Sequence, residues 1–245
     1  MTTTEILLWD VLPYVAITTF LVGTIWRYRY DKFGWTTRSS QLYERKLIRI
    51  ASPLFHLGIL AVLMGHIVGL LIPEAWTDAV GVSETMYHFM AVSLGFFAGA
   101  ATLVGIVLLI YRRRTVGPVF AATTKNDKTM YVFLVAAISL GLLTTMVGAG
   151  VIGDGHNYRE DVSVWFRSIL TLQPQGELMA DAPFAFRIHA VAGLLVFMIW
   201  PFTRLVHAFS APLLYFFRPY VVYRDRGPHD QGSHAPRRGW EKIGS

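Results

Sequence analysis

The sequence predicts an all-α integral membrane protein of five transmembrane helices, with its N-terminus outside and its C-terminus in the cytoplasm. Three observations carry this. Charged residues make up only 16% of the 245 and hydrophobic ones 53%, against roughly 25% charged in soluble domains. Apolar runs of about 20 residues, the length that crosses a bilayer, recur along the chain. The loops between them alternate in charge, basic after each odd-numbered run and mostly acidic otherwise. Basic loops stay on the cytoplasmic side, which fixes the orientation.

The first span is read at residues 6–26, bracketed by Trp9 and Trp26 as interfacial aromatics often bracket a span. A polar loop with Arg27, Arg29, Lys32, Arg38, Arg45, Lys46 and Arg49 follows. The second span, 51–72, carries His56 and His66 and no other ionisable residue. Residues 73–87 hold Glu74, Asp78 and Glu84 without lysine or arginine. The third span, from about His88 to Tyr111, ends on Arg112, Arg113 and Arg114. The fourth is read at 129–149, and the loop 150–183 is again mostly acidic. Within that loop DVSVWFRSILTL is apolar on one side and is expected to lie on the membrane surface as a short amphipathic helix. The fifth span, 184–210, carries His189 and His207. Residues 1–226 thus form one membrane domain, and 227–245, rich in Pro and Gly, are expected to be disordered.

Composition also excludes. The formal charge of +6 does not point to nucleic acid, because the basic residues are confined to particular inter-span loops. The absence of cysteine rules out disulfides, cysteine-held iron–sulfur clusters and covalent c-type haem. The first apolar run lacks a signal peptide's basic start and cleavage site, so it is expected to be retained. No internal repeat of the transporter kind is seen.

A histidine in a lipid-embedded helix is costly unless paired and is a functional candidate by default. The second and fifth spans run in opposite directions, so His56 lies at the depth of His207 and His66 at the depth of His189. A lone intramembrane histidine can serve merely as a hydrogen bond to a neighbouring helix. Two depth-matched pairs on antiparallel helices favour a ligand role instead. Structural zinc takes four protein ligands, whereas a haem iron takes two axial ones, so bis-histidine haem b fits the count. Spacing makes one demand. His56 and His66 are about 15 Å apart along their helix, and His189 and His207 about 27 Å along theirs. The difference must be absorbed by tilt, side-chain reach and a kink at Pro201. His189 and His207 are five full turns apart and are expected on one face of a single helix, while His56 and His66 point about 80° apart. Gly58, Gly65, Gly69 and Gly193 are read as room for a macrocycle. His156, His229 and His234 are read as solvated, and His88 as a surface residue or a contact near the outer site.

The runs LPYV, WRYRYD, SSQ, ERK, ASPLFHLGILAVLMGHIVGLL and FRIHAVAGLLVFMIWPFTRLVHAFSAPLLYFFRPY resemble the gamma subunit of respiratory nitrate reductase, a membrane cytochrome b. The resemblance covers about residues 10–225. It implies two haems b, an inner one on His56 and His207 and an outer one on His66 and His189. It implies a quinol, menaquinol or ubiquinol, oxidised beside the outer haem near Gly65 and a lysine at the start of the third span. No lysine lies between residues 73 and 111 here, and Tyr87 and His88 occupy that place. It implies as partners a cytoplasmic iron–sulfur beta subunit and a molybdenum-containing alpha subunit, in a bacterial or archaeal cytoplasmic membrane. Electrons would cross inward and protons leave outward, contributing to the proton-motive force. No side chain is assigned a catalytic role; the chain positions and tunes cofactors. Positive-inside topology accounts for the basic loops by itself; Arg112–Arg114, Arg45–Arg49 and Arg204 are in addition candidates for propionate neutralisation or partner docking. The alternatives are the cytochrome b subunit of a formate dehydrogenase or hydrogenase and, in a different class, a proton-coupled transporter using the histidines as relays.

Overall fold

Five helices long and apolar enough to cross a membrane run over Thr3–Tyr30, Ile48–Leu71, Glu84–Thr115, Lys125–Gly148 and Phe184–Phe202 in a computed structural model. The structure describes residues 1–31, 34 and 40–210; Lys32, Arg38, His229, His234 and the tail after Ser210, with its expected disorder at 227–245, lie outside the described residues. Among the described residues there are no strands. The helices outrun their apolar cores because their ends are capped. Thr2 with Glu5, and Thr124 with Asp127, close capping boxes, and Ser83 accepts from the Met86 amide. Each cap satisfies amides that the first turn leaves free. Three short helices were not foreseen: Glu74–Ala79, Gly117–Ala121 and Gly176–Asp181.

Spans 2 and 3, 3 and 4, 4 and 5, and 5 and 1 pack as neighbours. The closest approach is between spans 2 and 3. A Cβ at Gly105 would lie 2.5 Å from the Phe55 nitrogen, and one at Gly58 would lie 2.8 Å from the Thr102 nitrogen. Lipid offers no hydrophobic drive between helices, so small residues that let backbones meet carry such contacts. Gly58 is therefore a helix-packing residue and does not make room for a macrocycle.

Both ends of the bundle depart from regular helix. Leu7–Val11 and Ile67–Leu71 are π-helical turns, which leave carbonyls without their usual partners. The loop 150–183 supplies those partners. Trp165 Nε1 donates to the Trp9 carbonyl (2.9 Å), Ser163 Oγ to Gly69 (2.9 Å) and Arg167 Nη1 to Leu70 (3.1 Å). The helix Val162–Leu170 that carries them is formed as expected. It does not lie with its apolar side in lipid. Trp165 and Ile169 are buried in a cluster with Trp9, Met179, Ala182 and Phe186, because the donors must reach inward to the π turns.

The fifth span is not one helix to 210. The α-helix ends at Ile199, residues Trp200–Phe202 tighten into a 3₁₀ turn, and Thr203 is extended (φ −115°, ψ −178°). A second 3₁₀ segment, Arg204–Ser210, follows. Pro201 has no amide to continue the ladder. It is fully buried against span 1, where a Cβ at Gly23 would stand 2.9 Å from the proline Cβ. The carbonyls freed by the break are taken up from other helices. Arg27 Nη1 donates to Pro201 (2.7 Å) and Thr203 (3.2 Å), and Asn126 Nδ2 donates to Phe202.

Candidate functional site

The two histidine pairs meet. His56 and His207 have ring centroids 6.0 Å apart at 75°, and His66 and His189 have centroids 6.0 Å apart at 47°. The 27 Å expected between His189 and His207 is not spanned by one helix. The break at Trp200–Thr203 intervenes, and the pairing by depth survives it.

Three of the four rings are oriented by a backbone carbonyl. His56 Nδ1 lies 2.7 Å from the Ser52 carbonyl, His66 Nδ1 lies 2.8 Å from that of Val62, and His207 Nδ1 lies 2.6 Å from that of Arg204. A carbonyl can only accept, so these contacts assign the proton to Nδ1. Each Nε2 then carries the lone pair, the state a metal-ligating imidazole needs. The fourth ring, His189, packs against span 4, its Cε1 3.0 Å from where a Cβ on Gly141 would sit.

These residues fit an iron between each pair. Two metal–nitrogen bonds of about 2.0–2.1 Å each place the centres of two facing imidazoles about 6 Å apart. Among the described residues no three His, Cys, Asp or Glu converge on a metal-ion site, and each pair offers two imidazoles. Gly65 and Gly193 have nothing within 4 Å of a built Cβ. Gly69 is different: a Cβ there would lie 2.7 Å from the Tyr158 hydroxyl, so it seats that ring.

Tyr87 and His88 part company. Tyr87 is buried, its hydroxyl 3.0 Å from that of Tyr158 and its ring 3.9 Å beneath the Arg159 guanidinium. Arg159 in turn donates to Glu84 (2.8 Å) and Thr77 Oγ1 (3.1 Å). Burial, with the Tyr87 hydroxyl beside it, pushes the Tyr158 hydroxyl far above the ordinary tyrosine range, so it stays protonated. His88 is half-buried and lines a shallow recess with Glu84, Thr85 and Asn157. His156 is not simply solvated, since its Nε2 lies 2.9 Å from Asp161 Oδ2 and its ring rests on Phe186.

The basic cluster at the end of span 3 is mostly internal. Arg112 is buried and donates to Glu44 Oε2 (2.6 Å), to Ser40 Oγ (2.8 Å) and to the Ser40 and Glu44 carbonyls. Arg113 donates to the Tyr131 hydroxyl and Thr123 Oγ1. Arg204 forms a fork with Asp127, Nε to Oδ1 at 2.6 Å and Nη2 to Oδ2 at 2.9 Å. Of the basic residues expected to face partners, Arg45, Lys46, Arg49 and Arg114 are exposed. Asp127 and Glu44 are the acids that hold these arginines; Asp127 is the lone acid of its basic loop, whereas Glu44 shares its loop with Asp31.

A model of the nitrate reductase gamma subunit family matches residues 5–226. The chain belongs to that family. It is 43% identical over 220 residues to the nitrate reductase gamma chain of Bacillus subtilis strain 168, covering 90% of this chain and 98% of that one. It is 36% identical over 223 residues to the respiratory nitrate reductase 2 gamma chain of Escherichia coli strain K12, covering 91% and 97%. It is 64% identical over 220 residues to the nitrate reductase-like protein NarX of Mycobacterium tuberculosis, of which it spans only 34%. The chain therefore spans about a third of the mycobacterial relatives and nearly all of the gamma chains. With five helices long and apolar enough to cross a membrane, it is a multi-pass membrane member of that family.

Proposed function

We propose that this gamma-subunit chain is the di-haem b, quinol-oxidising membrane subunit of a respiratory nitrate reductase. The observation that carries it is the pair of 6.0 Å histidine couples on spans 2 and 5. Two haems b, one on His56 and His207 and one on His66 and His189, supply one-electron transfer from a menaquinol or ubiquinol at the outer end toward the iron–sulfur beta and molybdenum alpha subunits at the inner end. The chain's own work is positioning. The carbonyls of Ser52, Val62 and Arg204 hold three imidazoles in the ligating tautomer. Gly65, bare of neighbours and next to His66, leaves the quinol ring a place to approach. His88 takes the position of the family's lysine, and Tyr87 acts behind it through Tyr158. Exposed Arg45, Lys46, Arg49 and Arg114 offer the docking charge at the inner end. The N-terminus faces outward and the membrane is the cytoplasmic one.

The test is a reduced-minus-oxidised spectrum of the complex purified from membranes, with quinol:nitrate activity measured alongside. Two b-type components are expected. His66→Ala should remove one and His56→Ala the other, each abolishing quinol:nitrate turnover. A colourless preparation would overturn the haem reading. Haem with no nitrate activity in the co-purified complex would overturn the nitrate assignment alone.

A further inference from the structure

His207 differs from its partners in how it is anchored. His56 and His66 bond to carbonyls four residues back within a regular helix, so the helix itself fixes them. The acceptor for His207 is the Arg204 carbonyl, three residues back, in a 3₁₀ segment that follows the extended Thr203. The ladder of span 5 is interrupted before it reaches this residue, so the span cannot set the ring's position. What holds Arg204 is Asp127. Its carboxylate, 5% exposed, takes the guanidinium in a two-bond fork at 2.6 and 2.9 Å. Asp127 is fixed in turn by Thr124, whose amide donates to Oδ2 (3.0 Å) and whose Oγ1 accepts from the Asp127 amide (3.1 Å). A fork of this kind fixes orientation as well as distance.

We infer that the Asp127–Arg204 fork is a positioning device for the inner ligand His207, tying its 3₁₀ segment to the N-terminal turn of span 4. The inference rests on the haem reading above. It assigns to Arg204 a task beyond propionate neutralisation or docking, because Nε and Nη2 of its guanidinium are already engaged by Asp127. Outer-shell partners that orient a ligating histidine commonly matter 10–100-fold for metal retention.

The test uses the full complex in its membrane, with haem content and redox titration of each b-type component as readouts. His56→Ala and His66→Ala identify the inner and outer components. Asp127→Asn keeps the size of the side chain and Arg204→Lys keeps the charge; each loses the fork. Both are expected to shift the inner component's midpoint potential and spectrum, or to lose that haem, while the outer component stays in place. Thr124→Ala removes one of the two bonds that steady Asp127 and keeps the fork, so it should move the inner component less than either fork variant and leave the outer one in place. An unmoved inner component in Asp127→Asn and Arg204→Lys would overturn the inference, as would parallel loss of both components or an equal inner shift in Thr124→Ala. An unaltered protein without two b-type components would sink the underlying haem reading instead, a result visible before any fork variant is made.

Discussion

At the scale of single residues, what a side chain touches separates positions that look equivalent in the sequence. Gly65 and Gly105 are both glycines in apolar helices. A Cβ at Gly105 would meet the Phe55 backbone at 2.5 Å, so Gly105→Ala should destabilise the protein by about 1–3 kcal/mol through overpacking. Gly65→Ala meets nothing within 4 Å, and should leave the melting temperature in detergent unchanged while altering quinol kinetics. Equal melting temperatures for the two variants would refute the contrast. Glu44 gives a pH effect. Burial opposes its ionisation, but the Leu47 amide and Arg112 more than offset this, so its carboxyl titrates below the ordinary carboxylate range. A depressed value means that the Glu44–Arg112 pair contributes fully above the ordinary carboxylate pKa. That contribution fades as pH falls through the depressed one. Acid melts should therefore show a slope that Glu44→Gln lacks. The meeting of His56 with His207 and of His66 with His189 was legible in the sequence because charge in the loops gives direction and direction gives depth. The acid partners of Arg112 and Arg204 were not legible because a basic residue at a helix end looks the same whether its acid partner is water-exposed or folded over it.

At the scale of elements, the loop helix Val162–Leu170 and the broken fifth span do the same job at opposite ends: they accommodate backbone that the regular helices leave unpaired. Trp165→Phe keeps the ring in its cluster but strands the buried Trp9 carbonyl, and should cost about 1–3 kcal/mol. The checking measurement is thermal unfolding beside Phe166→Leu, which touches no carbonyl bond and should cost less. Amphipathicity announced the loop helix, and the pattern could not say whether its apolar side met lipid or protein. The break at Trp200–Thr203 was half legible. Pro201 gave away a kink, but many spans bend at proline and continue. Here continuation fails because Arg27 and Asn126 supply donors to the carbonyls on the far side of the bend. Those donors come from positions 174 and 76 residues away in the chain, beyond the reach of any local pattern.

At the scale of the whole molecule, the five-span count was plain from apolar length. The packing order 2-3-4-5-1 was not, because it depends on which glycines face which helix. Orientation rests on the basic loops. A reporter that is active only outside the cell should work when fused before Thr3 and fail when fused between Ala121 and Thr124; the reverse pattern would reverse the assigned ends.

The broken fifth span also sets an order of events in time. His66 waits for His189, but His56 waits for His207, whose seat is held by Arg27 and Asp127 in parts of the chain already made. At 5–20 residues per second, the ribosome needs about 1–4 s to go from position 189 to position 207. During that interval the partners for His207 stand ready while its own segment is still emerging. The newborn chain thus has the His66–His189 pair complete before the His56–His207 pair.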